Sequence, residues 1–141
     1  GHKAATAAPT WPDINGAFMP EGIWESAGVK GFIADKICIH FLHRTVGYLL
    51  FLGLLVHAFY LHRFTAGFKA LRRNYLLPAV LGGVQVALGI VSLITSPRIV
   101  PNSWGIFETL ALLHQLTALL LVISLLNLLF LLSVKSYPRP S

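Results

Sequence analysis

Three long runs of apolar residues, separated by short polar segments, dominate the chain. The runs are Ile37–Leu61, Tyr75–Thr95 and Thr109–Val134. Each has the roughly 20 residues that a helix needs to cross a bilayer. The first run begins too far from the N-terminus, and is too long, for the apolar core of a signal peptide. The pattern therefore predicts an all-α, polytopic membrane helical bundle of three transmembrane helices (37–134), with a long outer N-terminal loop (1–36) and a short tail (135–141).

Composition and charge agree with a membrane protein and exclude a nucleic-acid-binding one. The chain has 141 residues, of which 55% are hydrophobic and 11% charged, and few soluble domains have such a composition. The net charge of +6 is concentrated on one side of a three-span arrangement. The basic residues of that side are Arg63, Lys69, Arg72, Arg73, Lys135 and Arg139. The positive-inside rule places this side in the cytoplasm, which predicts a multi-pass protein of the inner (cytoplasmic) membrane with lipid as a partner.

The N-terminal loop is rich in turn-forming and aromatic residues, including Trp11, Phe18 and Trp24. This composition predicts an irregular outer loop with one short interfacial helix near residues 20–30. Two roles stay open for the loop. It is either an aromatic belt that anchors the chain at the headgroups or a lid over a pocket in the outer leaflet. The lone Cys38 can form no internal disulfide, and we expect it to be a packing residue.

Two histidines occupy matched positions in the first and third runs. His43 follows its nearest preceding charge, Lys36, by seven residues, and His114 follows Glu108 by six. At helical rise, both imidazoles lie about 10 Å below the same face of the membrane. An ionisable side chain inside a bilayer is costly and is a candidate functional residue. Two neutral imidazoles at equal depth could hold one planar metal cofactor between two helices, as haem iron requires, although each could instead only hydrogen-bond a neighbour.

Residues around the two histidines favour a cofactor site. Gly47, Thr117 and Ala118 follow the histidines by three or four residues, and small side chains on those faces would leave room for a flat macrocycle. Arg44 either snorkels to the headgroups or pairs with a haem propionate. His40, one turn before the first histidine, is a candidate substitute ligand or propionate contact.

His57 offers the position of a second haem, about 21 Å deeper on nearly the same helix face as the first histidine. A partner would have to lie near 127–129, where the chain has Asn127, Leu128 and Leu129. None of these is a haem ligand. We therefore expect one haem, and a packing or cytoplasmic-interface role for His57.

The middle run carries small and weakly polar residues at helical spacing. The small residues are Gly82, Gly83, Ala87 and Gly89, and such spacings allow close helix approach in lipid. Gln85 and Ser92 lie seven residues apart and form a weak polar stripe. We expect that stripe to form interhelical hydrogen bonds.

Four motifs, in order along the chain, resemble the C-terminal half of haem A synthase. The motifs are Ala7–Gly16 with its Trp-Pro pair and glycine, Phe41–Arg44 with its His-Arg pair, Gln85–Ile90 as a Gln-x-x-Leu-Gly-Ile run, and Leu112–Gln115 with the last histidine. Each is weak alone, but their order and spacing are fairly specific. The resemblance covers nearly the whole chain.

The resemblance implies a function and a ligand set. The family enzyme oxidises a methyl group of haem O to the formyl group of haem A for cytochrome oxidase biogenesis. It has two similar four-helix halves, and the second half holds a bis-histidine haem b towards the outer leaflet. His43 and His114 match those ligands. The resemblance further implies that this chain holds spans six to eight, and that its partners are the missing N-terminal half or haem O synthase.

The same resemblance limits the enzymatic prediction. The substrate site of the family lies in the first half, so this chain alone is expected to be inactive, and no catalytic residue is assigned. The cysteine pair that some members carry in the outer loop has no counterpart here. Because the chain begins with Gly1 rather than Met, we expect a processed product or a fragment.

Two further functional classes stay open. The first is an electron-transfer subunit of the cytochrome b type, which predicts a surface for a quinone or a redox partner. The second is a helical assembly subunit without a cofactor, which predicts no haem absorbance.

The charge distribution generates a topology prediction. A reporter fused after Arg73 is expected to be active only if it is a cytoplasmic marker, because the basic loop 62–74 is retained inside. A matched fusion after Gly105, in the poorly charged loop between the second and third runs, should report the opposite side. Periplasmic activity of the Arg73 fusion would reverse the orientation and move the histidine pair to the cytoplasmic leaflet.

Overall fold

The computed structural model describes residues 4–20, 35–64, 69–99 and 103–136, and these are organised as helices and loops. The α-helices are α1 (Lys36–Phe64), α2 (Lys69–Asn74), α3 (Leu77–Thr95) and α4 (Ile106–Ser136). Short 3₁₀ turns lie at Ala4–Ala7 and Ser96–Arg98. The all-α prediction is confirmed. Three stretches are long and apolar enough to cross a membrane: Lys36–Arg63, Lys69–Arg98 and Ile106–Ser133.

The start of α1 is set by the side chain of Asp35. Its Oδ1 accepts hydrogen bonds from the backbone amides of Ile37 (2.7 Å) and Cys38 (2.9 Å), which is how an N-cap residue satisfies the free amides of a first turn. The Cys38 and Ile37 amides stabilise the carboxylate and lower the pKa of Asp35. The helix therefore begins one residue before the predicted span. Cys38 is buried, as expected of a packing residue.

The loop 62–74 contains the short helix α2, which the sequence pattern did not predict. Leu71 anchors this helix and is 1% exposed. A turn at Tyr75 and Leu76 then leads into α3, which begins at Leu77 rather than Tyr75. Pro78 lies in the first turn of α3, where a missing amide removes no helical hydrogen bond.

Helix α3 packs against both α1 and α4 and holds the bundle together. One buried cluster joins the three helices through Leu54, Ala58, Ala79 and Leu121. A second joins α1, α2 and α4 through Leu61, Leu71 and Leu128. Both clusters lie towards the end of the bundle that carries α2, which we term the closed end. At the opposite end, termed the open end, α1 and α4 are separated by a cavity.

Residues 4–20 form an irregular loop at the open end, in agreement with the prediction for that part of the loop. The Ala4–Ala7 turn contacts both α1 and the Ser96–Arg98 turn. A tight turn follows, in which Ile14 and Ala17 exchange backbone hydrogen bonds of 2.8 and 3.3 Å. Its central residues, Asn15 and Gly16, have φ of 53° and 92°, as the favoured Asn-Gly hairpin turns require. The segment near 20–30, where one short interfacial helix is expected, falls almost entirely outside the described residues.

The small residues of α3 allow the close helix approach that their spacing predicted. A Cβ added at Gly82 would lie 2.7 Å from Leu54 Cδ1 and 3.2 Å from Phe51 Cδ2. Both contacts are side chains of α1. At Gly83 the nearest atom, on Phe51, would be 3.6 Å away, which is an ordinary contact. Gly82 thus sets the distance between α1 and α3.

A glycine substitution tests this packing. Gly82→Ala is expected to destabilise the bundle by about 1–3 kcal/mol, because an extra methyl overpacks a filled contact. Gly53→Ala is the matched control on α1, since an added Cβ there meets no described atom within 4 Å. Thermal unfolding in mild detergent compares the two variants. Equal melting temperatures would show that Gly82 does not set the helix distance.

Candidate functional site

A cavity of about 490 Å³ occupies the open end between α1, α3 and α4. Its volume lies in the range of small-molecule and cofactor sites. The wall is mostly apolar, and its polar members include His40, His43, Arg44, Gln85, Ser92, His114 and Gln115. The four residues proposed for a cofactor site, His40, His43, Arg44 and His114, therefore all line one cavity.

His43 and His114 face each other across this cavity, without α3 between them. Their ring centroids are 6.2 Å apart and their planes meet at 68°. Imidazole nitrogens bind first-row metals at about 2 Å, so two axial nitrogens on one metal lie about 4 Å apart. Centroids lie farther apart than nitrogens by about a ring radius on each side. A centroid distance of 6.2 Å is therefore compatible with one metal shared between the two rings.

The imidazole of His114 is also bound to α3 through both of its nitrogens. Nδ1 lies 3.0 Å from the backbone carbonyl oxygen of Gln85, and Nε2 lies 3.1 Å from the side-chain Nε2 of the same residue. Gln85 therefore forms the interhelical hydrogen bond that its position predicted. His114 is half-buried, whereas His43 is exposed.

The room between the helices comes partly from residues that sequence reasoning missed. Gly47 lines the cavity as expected, but Thr117 and Ala118 do not; the Thr117 hydroxyl instead donates to Leu113 O at 2.8 Å. Gly89 and Ala111 provide the space in their place. A Cβ at Gly89 would lie 3.2 Å from His114 Cε1. Which residues of α3 and α4 face the cavity depends on the rotation of each helix about its axis, and the sequence pattern does not fix that rotation.

Two polar atoms of the cavity residues are buried without a hydrogen-bond partner among the described residues. They are His40 Nδ1 and Gln85 Oε1. His40 is 7% exposed. Buried polar atoms are nearly always paired in native proteins, so we expect a partner for each of these two atoms from outside the described residues.

Arg44 fastens the N-terminal loop to α1. Its Nη1 donates to the carbonyls of Asp13 (2.9 Å) and Thr10 (3.3 Å), and its Nη2 donates to that of Pro12 (3.0 Å). Neither role predicted for Arg44 included this contact, because the loop's fold was needed to see it. Pairing with a propionate stays a prediction, since Arg44 also lines the cavity.

Trp11 brings the N-terminal loop into the cavity wall. Its indole nitrogen donates to the Tyr48 hydroxyl at 2.9 Å, and its ring lines the cavity. Phe18 does not line the cavity, and it is 78% exposed against 46% for Trp11. Of the two roles left open for the loop, Trp11 supports the lid.

The other described histidines, His57 and His62, do not line the cavity. His57 is exposed on α1, and its packing or cytoplasmic-interface role stays a prediction. Opposite it, Leu128 is buried in the closed-end cluster. His62 lies at the closed end, where its Nδ1 is 2.7 Å from the Tyr75 hydroxyl.

The donor set restricts the kind of metal that the pair can hold. Across residues 4–20, 35–64, 69–99 and 103–136, no group of three or more His, Cys, Asp or Glu side chains is placed to bind a metal ion. Two imidazoles alone suit a metal ion whose remaining coordination positions are already filled by a cofactor. A metalloporphyrin, with four equatorial nitrogens of its own, is such a group.

Comparison with known proteins gives the site a family context. Residues 1–126 match the COX15-CtaA family model, described as cytochrome oxidase assembly protein. The heme A synthase of Bradyrhizobium sp. (strain BTAi1) is 36% identical over 126 residues, covering 86% of this chain and 32% of the relative. That of Bartonella henselae is 31% identical over 120 residues, covering 84% and 31%. The chain thus spans about a third of the length of these relatives. No solved structure matches it.

The Arg44 contacts generate a prediction about the loop. Arg44→Met is expected to speed hydrogen exchange at the Ile14 and Ala17 amides by roughly tenfold, because hydrogen bonds from a charged donor are worth about 1.5–3 kcal/mol. Arg63→Met is the matched control, since Arg63 lies over the Phe59 ring at the closed end. Exchange followed by mass spectrometry measures both. Unchanged protection in Arg44→Met would show that the loop is held by other contacts.

Proposed function

The chain belongs to the COX15-CtaA family of cytochrome oxidase assembly proteins, and from that membership we propose that it is the haem b-binding segment of a haem A synthase. The observation that carries the proposal is the pair of imidazoles, His43 and His114, with ring centroids 6.2 Å apart across a largely apolar cavity. The three apolar helices and the membrane enzymes among its relatives make this a membrane protein.

The cavity fits a haem in three respects. Its donor set is two imidazoles, which is the number of axial positions that a porphyrin leaves open. Glycines at positions 47 and 89 leave its walls flat beside the histidines. The side chains of His40 and Arg44 also line the cavity and would be available to the polar substituents of the macrocycle.

In this role the protein supplies ligation and exclusion of water. His43 and His114 would hold the iron from two sides, and the apolar wall would keep water and lipid away. Arg44 and Trp11 would keep the N-terminal loop over the α1 side of the cavity. A haem held by these two imidazoles would supply one-electron transfer.

The enzymatic activity proposed for the whole protein is the oxidation of a methyl group of haem O to the formyl group of haem A. We assign no general base to this segment and propose that it acts as an electron relay. The substrate haem O would bind in the remainder of the longer protein. The segment alone is accordingly proposed to be inactive.

The proposed orientation puts the cavity in the outer leaflet. Arg63, Lys69, Arg72 and Arg73 are exposed at the closed end, where the positive-inside rule predicts the cytoplasm. The open end, with the N-terminal loop, then lies outside the inner membrane.

Two alternative functions have weaker support. An electron-transfer cytochrome b subunit would use the same ligands, and it is distinguished by the absence of haem A formation in the whole protein. A cofactor-free assembly subunit leaves the two facing imidazoles of His43 and His114 without a role.

The haem proposal predicts one low-spin b-type haem per chain. His43→Ala and His114→Ala should each abolish the six-coordinate spectrum, because the iron loses one axial nitrogen. His57→Ala is the matched control on α1 and should leave the spectrum unchanged. A pyridine haemochrome assay and absorbance spectra on the intact protein in mild detergent measure stoichiometry and ligation. Two haems per chain, or none in a folded protein, would count against the proposal.

A further inference from the structure

We propose that Gln85 and Gly89 are positioning residues for His114. Together they fix the imidazole tautomer in which Nε2 carries the lone pair. In the absence of a metal, the Gln85 side chain donates a hydrogen bond to that lone pair. The inference rests on the proposed haem site and assigns new roles to two residues of α3.

The hydrogen-bond partners decide the tautomer. His114 Nδ1 lies 3.0 Å from the backbone carbonyl of Gln85, and a carbonyl oxygen can only accept. Nδ1 therefore carries the proton. A neutral imidazole has one N–H, so Nε2 is the acceptor. The Gln85 side-chain nitrogen, at 3.1 Å, donates to it.

The amide orientation of Gln85 is consistent with this assignment. Its nitrogen points to the lone pair of His114 Nε2, and its Oε1 is left buried without a partner among the described residues. Rotating the amide by 180° would set two acceptors, Oε1 and Nε2, against each other. The same tautomer thus accounts for both contacts of the ring.

Gly89 is what allows the ring to reach the carbonyl. It lies one turn after Gln85 on α3, and a Cβ there would be 3.2 Å from His114 Cε1 and 3.6 Å from Nδ1. An added methyl group would therefore require the imidazole to move by a few tenths of an ångström away from α3. The Gln85 carbonyl has two lone pairs, so it can accept from His114 while it keeps its bond in the α3 ladder.

The two groups of Gln85 act in opposite directions on metal binding. The carbonyl orients the ring and raises its basicity, as the outer partners of metal-bound histidines generally do. The side-chain amide instead occupies Nε2 and must be displaced by a metal. His43 is exposed, and no such pair of bonds to its ring is found among the described residues. The His114 ring is therefore oriented before a metal binds, whereas the His43 ring has to reorient when the metal binds.

The tautomer is measured without any haem. We expect ¹⁵N NMR of the ligand-free, ¹⁵N-histidine-labelled protein to show Nδ1–H and a bare Nε2 at His114, with the signal assigned by its loss in His114→Ala. Gly89→Ala should shift the population towards Nε2–H. Gly83→Ala, whose Cβ would meet only Phe51 at ordinary distance, should leave it unchanged. A proton on Nε2 of His114 in the unmutated protein would overturn the proposal.

The haem-loaded protein gives a second readout. Gly89→Ala should raise the midpoint potential above that of both the unmutated protein and Gly83→Ala, because a less basic imidazole stabilises ferric iron less. Gln85→Leu should bind haem up to about tenfold more tightly, since one competing hydrogen bond is gone, at an unchanged potential. Weaker binding by Gln85→Leu, or equal potentials in the two glycine variants, would contradict the assigned roles. Failure of the unmutated protein to bind haem, with the expected tautomer present, would instead refute only the proposed function.

Discussion

The close packing of α3 against both of its neighbours is the constraint on which the site depends. Gly82 lets α1 approach through Leu54 and Phe51, and Gly89 lets the His114 ring lie against α3. At the closed end, the leucine clusters draw α1 and α4 together. At the open end, α1 and α4 are connected only through their contacts with α3 in the described part of the chain. A cavity lined by α3 is therefore left beside His43 and His114.

The residues that line this gap carry polar groups, and those groups need hydrogen-bond partners. In a bilayer there is no water to satisfy an unpaired donor or acceptor, and each such atom is costly. The His114 ring is satisfied at both nitrogens by Gln85. His40 Nδ1 and Gln85 Oε1 are not satisfied within the described residues. We therefore expect each of these two atoms to find its partner outside the described residues.

Depth along a helix was predictable from the sequence, whereas rotation about its axis was not. The apolar runs gave the spans to within a few residues, and the spacing from Lys36 and Glu108 gave equal depth for the two histidines. Thr117 and Ala118 were misplaced because the face that α4 turns to the cavity depends on its packing with α3. The roles of Gly89 and Arg44 could not be predicted because each contacts a residue far away in the sequence. Gly89 lies against His114, and Arg44 donates to the Pro12 carbonyl. The helix α2 was missed because one buried side chain, Leu71, fixes it.

The central claim is that His43 and His114 bind one iron between them. Electron-nuclear double resonance on the ferric, haem-loaded protein with ¹⁵N-labelled histidine tests this most directly, because it counts the imidazole nitrogens coupled to the iron. The proposed haem site predicts two coupled imidazole nitrogens on a low-spin centre, with one lost in each of the two histidine variants. A single coupled nitrogen, or a high-spin iron in the unmutated protein, would contradict the account.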